Sequence, residues 1–196
     1  SSNDQTQLKI FFNHNVTNGT PTDMYYIDDL MFLPAPCDEP IIENCSNVVQ
    51  DYNIISDWNC QQNYGVETTV PSVLNPLISC DNRSEYVGQY TDDGTEAYDA
   101  FILDYGSIIN LNTHNKLKFK LYSSSSIQVL AKLEGGSAIE KWSDFSAVNT
   151  WQEFSYDFSD SIDNENTTLV LFFNAGQNNG NPDDIYHIDE LRWEEN

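Results

Sequence analysis

One stretch of this chain occurs twice. LVLFFNAGQNNGNPDDIYHIDELRW, from Leu169 to Trp193, aligns without a gap with LKIFFNHNVTNGTPTDMYYIDDLMF, from Leu8 to Phe32, at a constant offset of 161 residues. Identical pairs include Leu8/Leu169, Phe11/Phe172, Phe12/Phe173, Asn13/Asn174, Tyr25/Tyr186, Ile27/Ile188, Asp28/Asp189 and Leu30/Leu191. An ungapped repeat of this length marks duplicated domains. The second copy closes a domain, so residues 1–33 read as the C-terminal strands of a preceding repeat domain. Two strands alone are marginal in water. The pair is therefore expected to dock elsewhere, and strand exchange with another copy is one route.

Residues 34–47, PAPCDEPIIENCSN, are Pro-rich and acidic, which is linker chemistry of restricted flexibility. Residues 48–196 then have the size of one complete domain. Within them short strands alternate with turns, and no amphipathic helix stands out. AFILDY (Ala100–Tyr105), KLKFKLY (Lys116–Tyr122), IQVLAKL (Ile127–Leu133), QEFSYDF (Gln152–Phe158) and TLVLFFN (Thr168–Asn174) have strand composition. TDDG, EGGS and NNGNP mark turns between them. Leu117, Phe119 and Leu121 oppose Lys118, Lys120 and Tyr122, while Phe154, Tyr156 and Phe158 oppose Glu153, Ser155 and Asp157. Half-buried antiparallel strands at this spacing predict an all-β fold, an antiparallel β-sandwich of jelly-roll type.

Eight basic residues against 31 acidic ones give a formal charge of -23. No basic stripe exists to displace counterions, so nucleic acid is excluded as a partner. No apolar run approaches the roughly 20 residues of a membrane span, so no membrane insertion is expected. The four cysteines, Cys37, Cys45, Cys60 and Cys80, do not have zinc-motif spacing, and no histidine lies near them in sequence. Of the three possible pairings, Cys37–Cys45 with Cys60–Cys80 is favoured. Disulfides place the protein in an oxidising compartment, secreted or at the cell surface. No nucleophile elbow, Ser–His pairing or phosphate loop is present, and no carboxylate pair is marked out for acid catalysis, so the chain reads as no enzyme.

The order of motifs carries a resemblance. VLNPLISCDNRSEYVGQYTDDG (Val73–Gly94), AYDAFILDY, TWQEFSYDF and IYHIDELRW, in that sequence, resemble the β-jelly-roll carbohydrate-binding modules related to families 4, 16 and 22. Within that group the chain is most similar to the tandem modules of secreted polysaccharide-degrading proteins of marine bacteria. The likeness covers Asp51–Trp193, with Cys80 where glycine is common, Tyr98 where tryptophan is common, and Asn53 where a glutamate often stands. It implies a galactose-binding-domain-like sandwich that binds polysaccharide without catalysis. It also implies a structural Ca2+ where the first strand, an early loop and the last strand meet. Asp189, Asp51, Asn53 and Asp81 are the ligands expected there, calcium taking 6–8 hard oxygens.

Sugars are held by aromatic rings against their C–H faces and by polar groups on their hydroxyls. Trp142, between Lys141 and Ser143, is the first candidate platform. Tyr122 with Lys118 and Lys120 forms a second constellation, joined by Lys132 if its strand is adjacent. That basic face would suit an anionic glycan, unless the lysines pair with Glu153 and Asp157 across strands. Tyr98 and Trp151 complete the set of candidate ring contacts. The alternative from another class is a structural repeat of a surface adhesin or filament, assembled by strand exchange and binding no sugar.

Overall fold

The computed structural model describes residues 37, 39–41, 54–58, 60, 62–63, 70–177 and 184–195. The chain divides into two units, Ser1–Pro36 and Cys37–Asn196, and every described residue belongs to the second. The N-terminal repeat copy, including Phe11, therefore lies outside the described residues.

Among the described residues eleven strands follow in order: β1 (Ile54–Asp57), β2 (Gln62–Asn63), β3 (Ser72–Leu74), β4 (Tyr86–Thr91), β5 (Phe101–Asp104), β6 (His114–Ser123), β7 (Ile127–Glu134), β8 (Ile139–Phe145), β9 (Trp151–Asp157), β10 (Thr168–Phe173) and β11 (Ile185–Glu195). The one helical piece among the described residues is a 3-10 turn at Ser159–Ser161. The five strand segments expected from composition all form, each within a residue or two of its expected limits. Every pairing between named strands is antiparallel, in one sheet of seven strands and one of four. The fold is the all-β sandwich that the alternation predicts.

β11 organises the larger sheet. One edge pairs with β6; the other pairs first with β4 along Ile185–Ile188 and then with β1 at Leu191 and Arg192. A bulge after Asp189 makes the changeover, with Glu190 at a positive φ of 50°. β9 extends the sheet beyond β6, and β3 beyond β4. The smaller sheet runs β5-β10-β7-β8. The repeated segment thus contributes one interior strand to each sheet, β10 between β5 and β7, and β11 between β6 and its two other partners.

Inward residues of both sheets close one core. Leu117, Phe119 and Leu121 of β6 meet Val129, Ala131 and Leu133 of β7 and Leu169, Leu171 and Phe173 of β10. Phe119, Phe154 and Tyr156 stack with nearly parallel rings. Tyr186, identical to Tyr25 in the repeat, lies in the core against Phe173 and Tyr90, an architectural role. Trp58 is buried too, its indole N–H donating to the Val70 carbonyl at 3.2 Å, and its ring fills the space left by Gly88 on β4.

Two expectations are corrected. Cys37 is bonded to Cys80, which excludes both favoured pairings. Cys60 is also in a disulfide, and Cys45 lies outside the described residues. The reason is local: part of the stretch read as linker lies along the 80–84 loop. The Ile41 amide donates to the Arg83 carbonyl at 2.8 Å, Arg83 Nε donates to the Glu39 carbonyl at 3.1 Å, and Ile41 bridges Ser84 in parallel. Second, Lys132 does not join Lys118 and Lys120. β6 and β7 are consecutive in sequence but belong to different sheets, because Ser124–Ser126 carries the chain across the sandwich.

Candidate functional site

Strand alternation gives each sheet an outer face, and the expected ring contacts divide between the two. On the seven-stranded sheet a row runs across four strands: Gln89 pairs with His187, His187 with Tyr122, and Tyr122 with Trp151. The Tyr122 ring lies 5.7 Å from each of the Trp151 and His187 rings. Trp151 is only 4% exposed yet sits outside the core cluster, because the turn after β3 covers it. Its indole N–H donates to the Leu77 carbonyl at 2.8 Å and to Asn75 Oδ1 at 3.3 Å. Burial lowers the His187 pKa, so the ring is neutral near pH 7. This face is a small covered aromatic layer.

Below that row Lys118, Lys120 and Arg192 are engaged. Lys118 contacts Glu153 at 3.3 Å and Glu194 at 3.1 Å, Lys120 contacts Glu190, and Arg192 contacts Glu190, Glu194 and Glu153. Lys118 thus takes the cross-strand pairing with Glu153 that was expected, while Lys120 pairs with Glu190 instead, and neither presents an open basic surface.

The four-stranded sheet differs. Inward parity on β10 belongs to Leu169, Leu171 and Phe173, which leaves Val170 and Phe172 outward; on β7 it leaves Leu130, and on β8 Trp142. Phe172 pairs with Leu130, and Leu130 with Trp142, in one row across three strands. The next row holds Ile102, Val170, Lys132 and Glu140. Leu130 and Val170 are each 4% exposed although neither belongs to the core cluster, so the apolar neighbours on this face bury one another. Trp142 is 48% exposed and Tyr98 68%. Tyr98 meets Phe172 edge-on, ring centroids 6.4 Å apart at 88°. Its loop is fixed where the Gly176 amide donates to the Ala97 carbonyl at 2.7 Å; Gly176 has a φ of 83°, a conformation that favours glycine.

This face offers exposed rings at both ends of an apolar strip. Two strand spacings separate Phe172 from Trp142, about 10 Å, a span that two sugar units of an extended chain would cover. Polar groups border the strip: Gln128 Nε2 donates to Asp144 Oδ1 at 3.3 Å, and Lys132 contacts Glu134 at 2.6 Å and Glu140 at 3.5 Å. Trp142 and Tyr98 are thus brought together on one face, Tyr122, Trp151, Lys118 and Lys120 on the other. Phe172 and Leu130 escaped the sequence reading, although two apolar residues at outward positions of β10 were the available signal.

The calcium ligands expected from the sequence centre on Asp189, a buried carboxylate of β11. Asn82 donates its Nδ2 to Asp189 Oδ2 at 2.8 Å, and Ser84 adds a side-chain hydrogen bond. Both donate to the carboxylate. Asp81 is exposed, and Asp51 and Asn53 lie outside the described residues. Elsewhere Asp92, Asp93 and Asp99 bring carboxylate oxygens within 4.8 Å of one another. Asp92 and Asp93 there accept the Gly94 and Thr95 amides, folding the loop before Tyr98.

A jelly-roll β-sandwich with an aromatic strip on one sheet is the class of molecule that results. No known family's sequence profile matches the chain, and no curated protein matches it. Solved structures do. The chain superposes on an exo-β-agarase with a TM-score of 0.56 and 11% identity, over 74% of this chain and 25% of that one. It also aligns with the family 11 carbohydrate-binding module of a Clostridium thermocellum cellulosomal cellulase (TM-score 0.43, 11% identity, 68% and 85% covered). A family 4 carbohydrate-binding module gives 0.39 and 14%, with 57% and 70% covered. The chain spans about a quarter of the agarase's length, and what the two share at this identity is the fold.

Proposed function

We propose that this chain is a non-catalytic glycan-binding module, and that the outer face of the four-stranded sheet is its sugar-binding surface. The observation that carries this is the exposure of Trp142 and Tyr98 on either side of the Phe172–Leu130 row. Leaving rings of that size in water forgoes about 1.5–3 kcal/mol each, and contact with the C–H face of a pyranose recovers it. Gln128, Asp144, Lys132 and Glu140 stand beside the strip to meet hydroxyls. In this reading the module is exported, in keeping with its disulfides, and holds a larger protein at its polysaccharide. Affinity electrophoresis against a polysaccharide panel tests it: Trp142→Ala abolishes retention and Tyr122→Ala does not. If both variants bind as the wild type does, this face is the wrong one.

A second reading concerns residues 1–33. Their sequence matches β10 and β11, and both of those strands lie between neighbours on two sides. A segment of that sequence is suited to completing a sandwich supplied by another copy. Sedimentation at rising concentration, with and without residues 1–36, measures this: exchange gives oligomers that vanish on truncation.

A further inference from the structure

The charge around the aromatic strip narrows the ligand. We propose that this face selects an uncharged polysaccharide and rejects sulfated or uronic-acid polymers; the proposal rests on the glycan-binding reading above. The outward positions of the four-stranded sheet carry four carboxylates, Asp104, Glu134, Glu140 and Asp144, against one ammonium, Lys132. Lys132 is engaged on both sides, by Glu134 at 2.6 Å and by Glu140 at 3.5 Å. The Gln128 amide is turned to Asp144 at 3.3 Å. Asp99 follows Tyr98 directly and stands with Asp92 and Asp93.

Carboxylates only accept hydrogen bonds. A polyol brings O–H donors to them and forms charge-assisted contacts. A sulfate or uronate brings further anionic oxygens, finds its one candidate cation already paired, and approaches a chain whose formal charge is -23. Salt reduces this repulsion beyond a Debye length of about 8 Å at physiological strength. The selectivity is therefore greatest in dilute buffer. It runs opposite to the expectation that lysines would draw an anionic glycan, because every lysine in that expectation is ion-paired.

The test is affinity electrophoresis of the full chain in matched galactans, agarose and a sulfated carrageenan, and in matched glucans, hydroxyethylcellulose and its carboxymethyl counterpart. At least one uncharged polymer is expected to retard the chain, with affinity changing less than about twofold between roughly 50 and 500 mM salt. Its anionic counterpart is expected to bind at least about tenfold more weakly at the lower salt. The double variant Glu140→Lys, Asp144→Lys, at two exposed positions of an edge strand, narrows that difference. If an anionic polymer binds as tightly as its uncharged counterpart in dilute buffer, and Trp142→Ala removes that binding, the charge selection is overturned while the glycan reading stands. If no polymer of either kind is retained, the glycan reading fails and this proposal with it.

Discussion

Asn82 donates its side-chain amide to Asp189 at 2.8 Å, joining an early loop to the central strand of the larger sheet across 107 residues of sequence. Both side chains are buried, and Asn82 Oδ1 accepts the Ser84 amide at 2.9 Å, which fixes its orientation. The pair is a lock between the loop and β11. Its cost falls on the carboxylate: burial raises the Asp189 pKa from 3.8 to about 6, against the lowering effect of Ser84 and Asn82.

The sign of the pH dependence follows. Between about pH 4 and 6 the folded state keeps a proton that the unfolded state has lost, so this group's contribution to stability falls as pH rises through that window. The loss is about 3 kcal/mol in order of magnitude. Asp189→Asn, which still accepts from Asn82, is expected to remove it. Urea unfolding of both proteins at pH 4 and pH 7 checks this: the variant gains on the wild type at pH 7, and an unchanged difference refutes it.

Gly88 is expected to tolerate no side chain. A Cβ there overlaps the fused-ring carbons of buried Trp58, and that ring is fixed by its bond to the Val70 carbonyl. Gly88→Ala is expected to cost about 3 kcal/mol, read as a lower urea midpoint with an unchanged slope.

Cys37→Ser is expected to cost up to about 4 kcal/mol, since the Cys37–Cys80 bond spans a sequence separation of 43 residues. The 75–84 stretch that holds Cys80 also holds the Trp151 indole through Asn75 and Leu77. Loss of the bond should therefore shift the tryptophan emission in the native baseline as well as the midpoint. A shift in midpoint alone would show that the two ends of this loop are uncoupled.

Trp142→Ala is expected to leave stability within about 1 kcal/mol of the wild type, because the ring is half exposed on edge strand β8. Its effect belongs in binding. Trp151→Ala, at a ring that is 4% exposed, reverses the pattern: a loss of about 3–5 kcal/mol with retention by glycan preserved at low temperature.

Alternation was legible in the sequence and sheet membership was not. Leu117, Phe119 and Leu121 face inward because a period of two puts them on one side, and nothing non-local is needed to see it. Whether Lys132 stands beside Lys120 depends on where the chain crosses the sandwich, a matter of how Ser124–Ser126 turns. The same blindness left open which sheet Tyr122 and Trp142 each belong to, and they stand on opposite ones. Trp58 went unnoticed because no alternating pattern surrounds it; its partner is a missing side chain, Gly88, 30 residues on. The cysteine pairing failed for a similar reason. Composition marks Pro-rich segments as linkers, and only the contacts of Glu39 with the Arg83 side chain and of Ile41 with the 83–84 backbone reveal that residues 39–41 are part of the body.

The bond from Cys37 to Cys80 also settles how this unit carries tension. A pull on the amino-terminal side enters at Cys37, crosses the covalent bond to Cys80, and passes through the neighbouring Asn82 amide to Asp189 in the middle of β11. The residues between the two cysteines, β1, β2 and β3 among them, are bypassed. Stretching therefore loads the longest strand of the sandwich directly, while the first three strands lie off the covalent path.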